Sequence, residues 1–142
     1  MSARKPSAPH QDPYTLWPRD RVEDMHANAM SGRVGTVLVS ETDSCRVWHL
    51  TIAPGGRLPF HRHVLDYFWT VLSNGTARSY YEGGAVREMS YRAGDTRHFT
   101  FSPGEHMVHN LENIGEETLV FVTVEWKTGR NAPLVLTSGQ GD

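Results

Sequence analysis

The chain has 142 residues, a length that suits one ordinary domain with its own apolar core. Its 14 lysine and arginine residues are scattered singly against 16 acidic residues, which excludes the basic stripe that a nucleic-acid backbone needs. No apolar run approaches the roughly 20 residues of a membrane-spanning helix and the start lacks the apolar segment of a secretory signal, so we expect a cytoplasmic protein with no membrane partner.

The first residues of the chain are predicted to form an arm rather than part of a packed domain. Prolines recur there among polar residues, which disfavours both helix and continuous sheet: Pro6, Pro9, Pro13 and Pro18. We therefore assign residues 1–21 to a Pro-rich N-terminal arm and residues 22–142 to a single domain. The stretch from Val22 to Met30 is expected to form a short helical turn at the start of that domain.

From Thr36 onward, β-branched and aromatic runs alternate with turn residues. The runs are TVLVS, CRVWHLTIA, YFWTVL, ARSYYE, VREMSY, RHFTF, MVHNL and TLVFVTVEW. Between them lie glycine-containing turns such as Pro54-Gly55-Gly56, Asn74-Gly75 and Pro103-Gly104. Short strands about ten residues apart, with no helical period, predict an all-β sandwich or barrel whose core spans about residues 36–126.

The chemistry concentrates in two segments, of which the first is GGRLPFHRH at residues 55–63. Two histidines one residue apart on an extended segment project to the same side, so the imidazoles of His61 and His63 can converge on one metal ion. Such a pair also occurs by chance on protein surfaces. On its own it therefore does not define a site.

The second segment is PGEHMVHNLEN at residues 103–113, which supplies His106 and His109. A third histidine, distant in the chain, completes a set of ligands on one face of an ion. Such a set leaves coordination positions open for substrate and for water or oxygen.

Together the two segments resemble the signature motifs of the cupin family. The first cupin motif reads Gly, five residues, His-X-His, three or four residues, Glu, six residues, Gly, and this chain matches it at Gly55, His61, His63 and Gly75. The second motif ends in His, three residues, Asn, which His109 and Asn113 match. Its beginning is less regular here, because the spacing after Gly94-Asp95 is longer and His106 occupies the place of a glycine.

The resemblance covers residues 55–113 and implies a single-domain cupin, which is a double-stranded β-helix or jelly-roll barrel. It also implies that the metal ligands are His61, His63 and His109. Cupins commonly dimerise, so the resemblance further implies a homodimer.

One departure from the cupin motif bears on function. The motif glutamate, a fourth ligand in many cupins, falls at Phe68 in the longer spacing and at Tyr67 in the shorter. Asp66 lies close by and is the alternative carboxylate ligand if the preceding loop bends. We favour a site of three neutral histidines, which leaves the ion its full charge and suits an anionic bidentate ligand.

Such a site resembles that of a minority of small cupins, among them the acetylacetone-cleaving (β-diketone) dioxygenases and the thiol dioxygenases. The thiol enzymes are longer than this chain, which favours the diketone-cleaving type. By that resemblance the protein is a mononuclear non-haem Fe(II) dioxygenase that acts with O2 on a small enolisable dicarbonyl or related chelating substrate. The resemblance implies no catalytic residue beyond the metal ligands.

Two alternatives stay open. Imidazole also suits zinc, nickel and manganese, so spacing alone does not select iron. The fold also hosts non-redox functions, so the chain is alternatively a metal-dependent isomerase or lyase, or a small-molecule binding or sensing module.

Further residues are candidates for substrate binding or for support of the ligands: Asp66, Phe68, Thr70, Arg78, Tyr81, His98 and Glu105. Phe68 and Thr70 are expected on the face of the ligands, either as pocket lining or as ordinary barrel filling. His98 lies in a predicted strand and faces either the cavity or the surface. Glu105 lies near a loop and is a candidate to orient a ligand ring.

The turn at Asn74-Gly75 predicts a hairpin between the flanking strands. Regular pairing places Ser79 and Tyr81 opposite Thr70 and Phe68. A single bulge would instead turn Arg78 and Tyr80 inward, toward an anionic substrate.

Overall fold

The computed structural model describes residues 12–136, in which one α-helix is followed by nine β-strands. The helix α1 spans Arg19–Asn28. The strands are β1 (Val37–Glu41), β2 (Cys45–Ile52), β3 (Arg57–His63), β4 (Tyr67–Val71), β5 (Gly75–Tyr80), β6 (Val86–Tyr91), β7 (Thr96–Phe99), β8 (Met107–Asn113) and β9 (Leu119–Trp126). The prediction of an all-β fold is confirmed.

Two antiparallel sheets face each other across the core. One sheet has five strands in the order β1-β2-β9-β4-β7, and the other has four in the order β3-β8-β5-β6. Side chains from both sheets fill the space between them, among them Trp48, Leu50, Leu58, Val71, Leu111, Leu119 and Phe121. Within the described residues, no helix has the length and apolarity that a bilayer crossing needs.

Residues 12–28 cover the outer face of the four-stranded sheet. Helix α1 begins at Arg19, three residues earlier than expected, after Pro18, whose missing N–H is not needed at a helix start. Trp17 lies buried against Phe60 of β3 and Tyr80 of β5, with ring centroids 5.8 Å and 5.1 Å away. The boundary at residue 22 stays a prediction, since most of the proposed arm, residues 1–11, lies outside the described part of the chain.

A β-bulge in β3 determines which of its side chains face the barrel interior. Leu58 pairs with Leu111 and His61 pairs with His109, so three steps along β3 match two steps along β8. Leu58 and His61 therefore face the same side although their spacing is odd. Pro59 lies within the bulge, on an edge strand of its sheet, where its lack of an N–H is tolerated.

Candidate metal centre

Three histidines from two neighbouring strands meet inside the barrel. His61 and His63 come from β3, and His109 of β8 is the direct cross-strand partner of His61. The three ring centroids lie 4.7 to 5.1 Å apart, and one nitrogen of each ring lies within 4.8 Å of the others. In the described residues this is the one group of potential ligands at such spacing, and it is the set that the motifs predict.

Burial keeps these imidazoles neutral. His61 and His63 are only 2% and 3% exposed. Burial lowers the pKa of His61 to about 4, although its hydrogen bond to the backbone of Pro59 acts in the opposite direction. Burial, and secondarily the other rings, hold the pKa values of His63 and His109 well below the usual range. A neutral imidazole has the free lone pair that a metal ion requires.

Hydrogen bonding also suits these rings to metal ligation. The Nδ1–H of His61 donates to the carbonyl oxygen of Pro59 at 2.8 Å, which leaves its Nε2 with a free lone pair. The buried Nδ1 atoms of His63 and His109 have no hydrogen-bond partner among the described residues. Unsatisfied nitrogens are costly in a core, and a bound cation is one species that satisfies them. Three neutral nitrogen donors fit a divalent transition metal.

The cluster lies in the wall of a cavity of about 760 Å³. Aromatic side chains from both sheets form much of its lining: Tyr67, Trp69, Tyr81, Tyr91, Phe99 and Phe121. A cavity of this size suits a small molecule.

Tyr67, rather than Phe68, occupies the inward position at the start of β4. Its ring stacks on His63 with centroids 4.0 Å apart and planes inclined by 11°. Burial raises the pKa of the Tyr67 hydroxyl well above its usual value, so this side chain is neutral. The position of the motif glutamate is therefore the one that the shorter spacing gives. In this chain the uncharged ring of Tyr67 occupies it.

Asp66 does not join the histidines. Its Oδ1 accepts a hydrogen bond from the backbone N–H of Phe101 at 2.8 Å, and it is absent from the group of convergent ligand atoms. Asp66 thus holds the turn before β4 against the β7–β8 connection, and no loop bend brings it to the cluster.

The expectation that Phe68 and Thr70 share the ligand face is wrong. Tyr67 pairs with Glu125 and Trp69 with Thr123, and these inward residues alternate with Phe68 and Thr70 on the outer face. Thr70 hydrogen-bonds Thr96 there at 2.8 Å. The error has one cause. The chain turns after His63, so the alternation of inward and outward side chains counted from His63 does not continue into β4.

The predicted hairpin at Asn74-Gly75 is also wrong, because β4 and β5 belong to different sheets. Strand β5 pairs instead with β6 and β8. The inward orientation expected for Tyr81 nevertheless holds, since Tyr81 lines the cavity and its ring lies 5.2 Å from that of His109. Arg78 points away from the cavity and forms a salt bridge with Glu88 at 2.7 Å.

The remaining candidates lie away from the cavity. His98 is exposed on the outer face of β7, beside Phe68 at 5.2 Å. Glu105 accepts a hydrogen bond from the backbone N–H of Ser102 and so shapes its own loop. His106 pairs with Glu82 at 3.1 Å on the surface.

Asn113, which completes the second motif, has a structural role. Its buried side-chain amide donates to the carbonyl oxygens of Ile52 and Glu117 at 2.8 Å and 2.7 Å. Its Oδ1 accepts from the backbone N–H of Gly115. Asn113 thereby joins the end of β2 to the turn after β8, and it contributes no ligand.

Two arginines that the sequence analysis did not single out also line the cavity. Arg87 lies on β6 and Arg97 on β7, so they approach from opposite sheets. Neither has a carboxylate partner among residues 12–136. The available signal was that Arg97 and the apolar Phe99, two residues apart in RHFTF, share one face of the strand. The strand order is needed to show that this face points inward.

Comparison with known proteins agrees with this architecture. No known family profile matches the chain. The oxalate decarboxylase of Bacillus subtilis (strain 168) is 34% identical over 77 residues, which cover 53% of this chain and 19% of the relative. The chain thus corresponds to less than a fifth of the length of that curated relative.

Solved structures give the fold. A cupin domain from Bordetella pertussis Tohama I is 23% identical with a TM-score of 0.57, and the match covers 65% of this chain and 91% of that one. A protein with a double-stranded β-helix domain from Klebsiella pneumoniae is 28% identical with a TM-score of 0.52, covering 70% and 83% respectively. The chain therefore has the double-stranded β-helix fold of cupin domains, with a cluster of three histidines inside its barrel.

Proposed function

We propose that the protein is a metal-dependent enzyme that binds one divalent ion through His61, His63 and His109 and cleaves a bond in a small chelating substrate. The observation that carries this proposal is the convergence of three neutral histidine nitrogens within 4.8 Å of one another, with no carboxylate in the group. A set of three neutral ligands on one face leaves room for a bidentate substrate.

The residues around the centre favour an anionic substrate. Arg87 and Arg97 bring two positive charges to the cavity. Glu88, the one carboxylate that residues 12–136 contribute to its lining, is paired with Arg78. An enolate or carboxylate substrate is attracted by these charges. Tyr67 and the neighbouring aromatic rings exclude water from the reacting groups and fix the orientation of His63.

The function we favour is that of a mononuclear non-haem Fe(II) dioxygenase acting on an enolisable dicarbonyl or a related chelator. A bound ferrous ion supplies the redox chemistry with O2, whereas the chain itself contributes binding, orientation and exclusion of water. The replacement of the motif glutamate by Tyr67 supports this choice, because the described part of the chain then offers the centre no anionic ligand that would compete with an anionic substrate.

The second candidate is a metal-dependent lyase that needs no net oxidation. The observation in its favour is the 34% identity over 77 residues to an oxalate decarboxylase, a protein named for the removal of carbon dioxide from a small dicarboxylate. The proposed anionic substrate fits this reaction equally well. The two candidates differ in whether O2 is consumed in stoichiometric amount.

One experiment separates the candidates. The metal content of protein purified without added metal is measured first, and the protein is then loaded anaerobically with that metal. Oxygen uptake and carbon dioxide release are recorded with β-dicarbonyls, thiols and oxalate, with His109→Ala as the control. Stoichiometric O2 uptake supports the dioxygenase, and carbon dioxide release without it supports the lyase. If a metal-loaded protein turns over none of these substrates, an enzymatic role in this chemistry is wrong and a binding or sensing module is left.

A further inference from the structure

The barrel is closed on the side of β1 and β3 and open on the side of β6 and β7. On the closed side, residues 31–36 bridge the two sheets. The backbone N–H of Arg62 donates to the carbonyl oxygen of Ser31 at 2.7 Å, and that of Thr36 donates to the carbonyl oxygen of His49 at 2.9 Å. Strands β6 and β7 are the opposite edges of the two sheets, and the described residues contain no hydrogen-bonded pairing between them.

The two arginines of the cavity lie at this open side, one on each edge strand. Arg87 belongs to β6 and Arg97 to β7. Both line the cavity and yet are exposed to solvent, in contrast to the buried His61 and His63. The cavity therefore opens between β6 and β7. A molecule that enters it passes between two positive charges.

Two stacked rings separate the Arg97 guanidinium from the metal centre. Its Cζ lies over Phe99, 5.0 Å from the ring centroid. Phe99 stacks on Tyr67, and Tyr67 stacks on His63. Since Tyr67 occupies the near face of Phe99, Arg97 lies on the far face. Three successive contacts of about 3.5 Å put the guanidinium roughly 10 Å from the imidazole.

At that distance Arg97 does not reach the oxygen atoms of a group that binds an ion at the histidines. A ligand oxygen lies about 2.1 Å from its ion, and an ionic hydrogen bond is about 2.8 Å long. Arg87 lies nearer, with its Cζ 5.9 Å from the ring centroid of Tyr81, which is 5.2 Å from that of His109. Arg97 is thus placed to contact a part of the substrate other than its chelating group.

The wall of the cavity is largely apolar. Leu58 and Leu111 line it from the four-stranded sheet, and Trp69, the cross-strand partner of Arg97, lines it from the five-stranded sheet. Among the described lining residues, positive charge is found only at Arg87 and Arg97. A hydrocarbon linker packs on such a wall, whereas a second anionic group finds its charged partners at the mouth.

We infer that Arg87 and Arg97 form a second, anion-binding subsite at the mouth of the cavity, which holds a carboxylate remote from the chelating group of the substrate. The substrate class is thus a chelating head, such as a β-diketone, joined through a short hydrocarbon linker to a carboxylate tail. A guanidinium group recognises a carboxylate through two parallel hydrogen bonds. The inference rests on the proposed function for the head, whereas the tail subsite consists of residues that are not metal ligands.

Binding of 4,6-dioxoheptanoate to the protein loaded with zinc tests the inference. This β-diketone has a carboxylate tail, and its primary carboxamide has the same head with a neutral tail. Zinc has no redox chemistry, so isothermal titration calorimetry measures both compounds at equilibrium. We expect the carboxylate to bind at least roughly tenfold more tightly than the carboxamide, which is the effect of one charge-assisted hydrogen bond.

The double variant Arg87→Gln/Arg97→Gln should abolish this preference and leave the Kd of the carboxamide unchanged, because it removes the charges and keeps the metal ligands. Arg92→Gln is the matched control, since it removes the same charge from the exposed β6–β7 connection outside the cavity lining. It should keep the preference. Circular dichroism shows that each variant is folded. A preference that persists in the folded double variant overturns the inference, and so does one that Arg92→Gln abolishes.

A failure of the proposed function would give a different result. Acetylacetone, which has the head and no tail, is titrated in parallel. If the zinc-loaded wild type binds none of the three compounds, the chelating site itself is wrong and the inference falls with it. If it binds all three equally well, the chelating site is supported and the tail subsite alone is overturned.

Discussion

Tyr67 stacks on His63 with ring centroids 4.0 Å apart and planes within 11°, and the same tyrosine also stacks on Phe99 at 4.5 Å. The three rings form a continuous aromatic wall that begins at the proposed metal centre. The stack fixes the orientation of the His63 imidazole without adding a charge. The site is therefore neutral at the position where the cupin motif has a carboxylate.

Restoring that carboxylate should strengthen metal binding. We expect Tyr67→Glu to lower the Kd for a divalent ion by roughly tenfold, because an anionic ligand adds Coulombic attraction to three neutral ones. The apo-protein should at the same time lose stability, since the new carboxylate is buried without a partner. Competition with a chromophoric chelator measures the affinity. Tyr67→Phe keeps the stack and should bind metal like the wild type; equal affinities in all three proteins would show that position 67 does not face the ion.

Removing a rim arginine should weaken binding of anionic substrates selectively. Arg97 lines the cavity and has no carboxylate partner in the described residues, so Arg97→Gln should raise KM for an anionic substrate by roughly tenfold. The affinity for a neutral analogue should hardly change. Steady-state kinetics, or calorimetric titration of a non-reacting anion, gives the comparison. Arg92→Gln, an exposed position outside the cavity lining, is the control. A loss of similar size for neutral and anionic ligands would contradict an electrostatic role.

The sequence predicts the fold and the histidine cluster well for physical reasons. Period-two alternation and glycine turns mark strands locally. For the His-X-His pair and His109 to form one cluster, it is enough that β3 and β8 are adjacent. The residues that surround the cluster were harder to predict, because their orientation depends on the sheet to which each strand belongs. Phe68 and Arg97 show this, because neither the change of sheet after His63 nor the orientation of β7 can be read from the local sequence pattern.

The bulge at Pro59 illustrates the same limit. Leu58 and His61 both face inward, although strict alternation would place them on opposite faces. A proline in a strand indicates an edge or a bulge but does not say which residue is extra. Only the pairing register with β8 shows which residue is extra.

The packing of Trp17 tests whether residues 12–28 pack on the outer face of the four-stranded sheet. This side chain is 8% exposed and contacts Phe60 and Tyr80, so Trp17→Ala should cost about 3 to 5 kcal/mol in the free energy of unfolding. Its neighbour Leu16 is 95% exposed, and Leu16→Ala should cost less than about 0.5 kcal/mol. Urea unfolding followed by circular dichroism compares the two. Equal, small effects would show that residues 12–18 do not pack as described.

A buried carboxyl group makes the free energy of unfolding depend on pH, and the sign of this dependence follows from its pKa. Glu125 is 3% exposed and accepts a hydrogen bond from the Trp48 Nε1–H at 2.7 Å. Burial raises its pKa from 4.5 to about 7, with the Trp48 hydrogen bond and the charge of Arg46 acting against the shift. The folded state therefore binds more protons than the unfolded state between these values. The stabilising contribution of Glu125 is fully present below pH 4.5 and is lost as the pH rises through 7.

Glu125→Gln keeps an acceptor for Trp48 and removes the ionisation. Relative to the wild type, the variant should gain about 2 to 3 kcal/mol in the free energy of unfolding between pH 5 and pH 8. Chemical denaturation of both proteins at the two pH values measures this difference. If the variant differs from the wild type by the same amount at both pH values, Glu125 does not titrate in the folded state as its burial implies.

The most direct test of the metal centre is the metal stoichiometry of three purified proteins, determined by element-resolved mass spectrometry after equilibration with the same divalent ion. The wild type should hold about one ion per chain, as should His98→Ala, which removes an exposed histidine on the outer face. His109→Ala should hold less than about a tenth of that amount, since two neighbouring histidines do not retain the ion. Wild-type stoichiometry in His109→Ala, with the fold intact by circular dichroism, would contradict a metal centre formed by His61, His63 and His109.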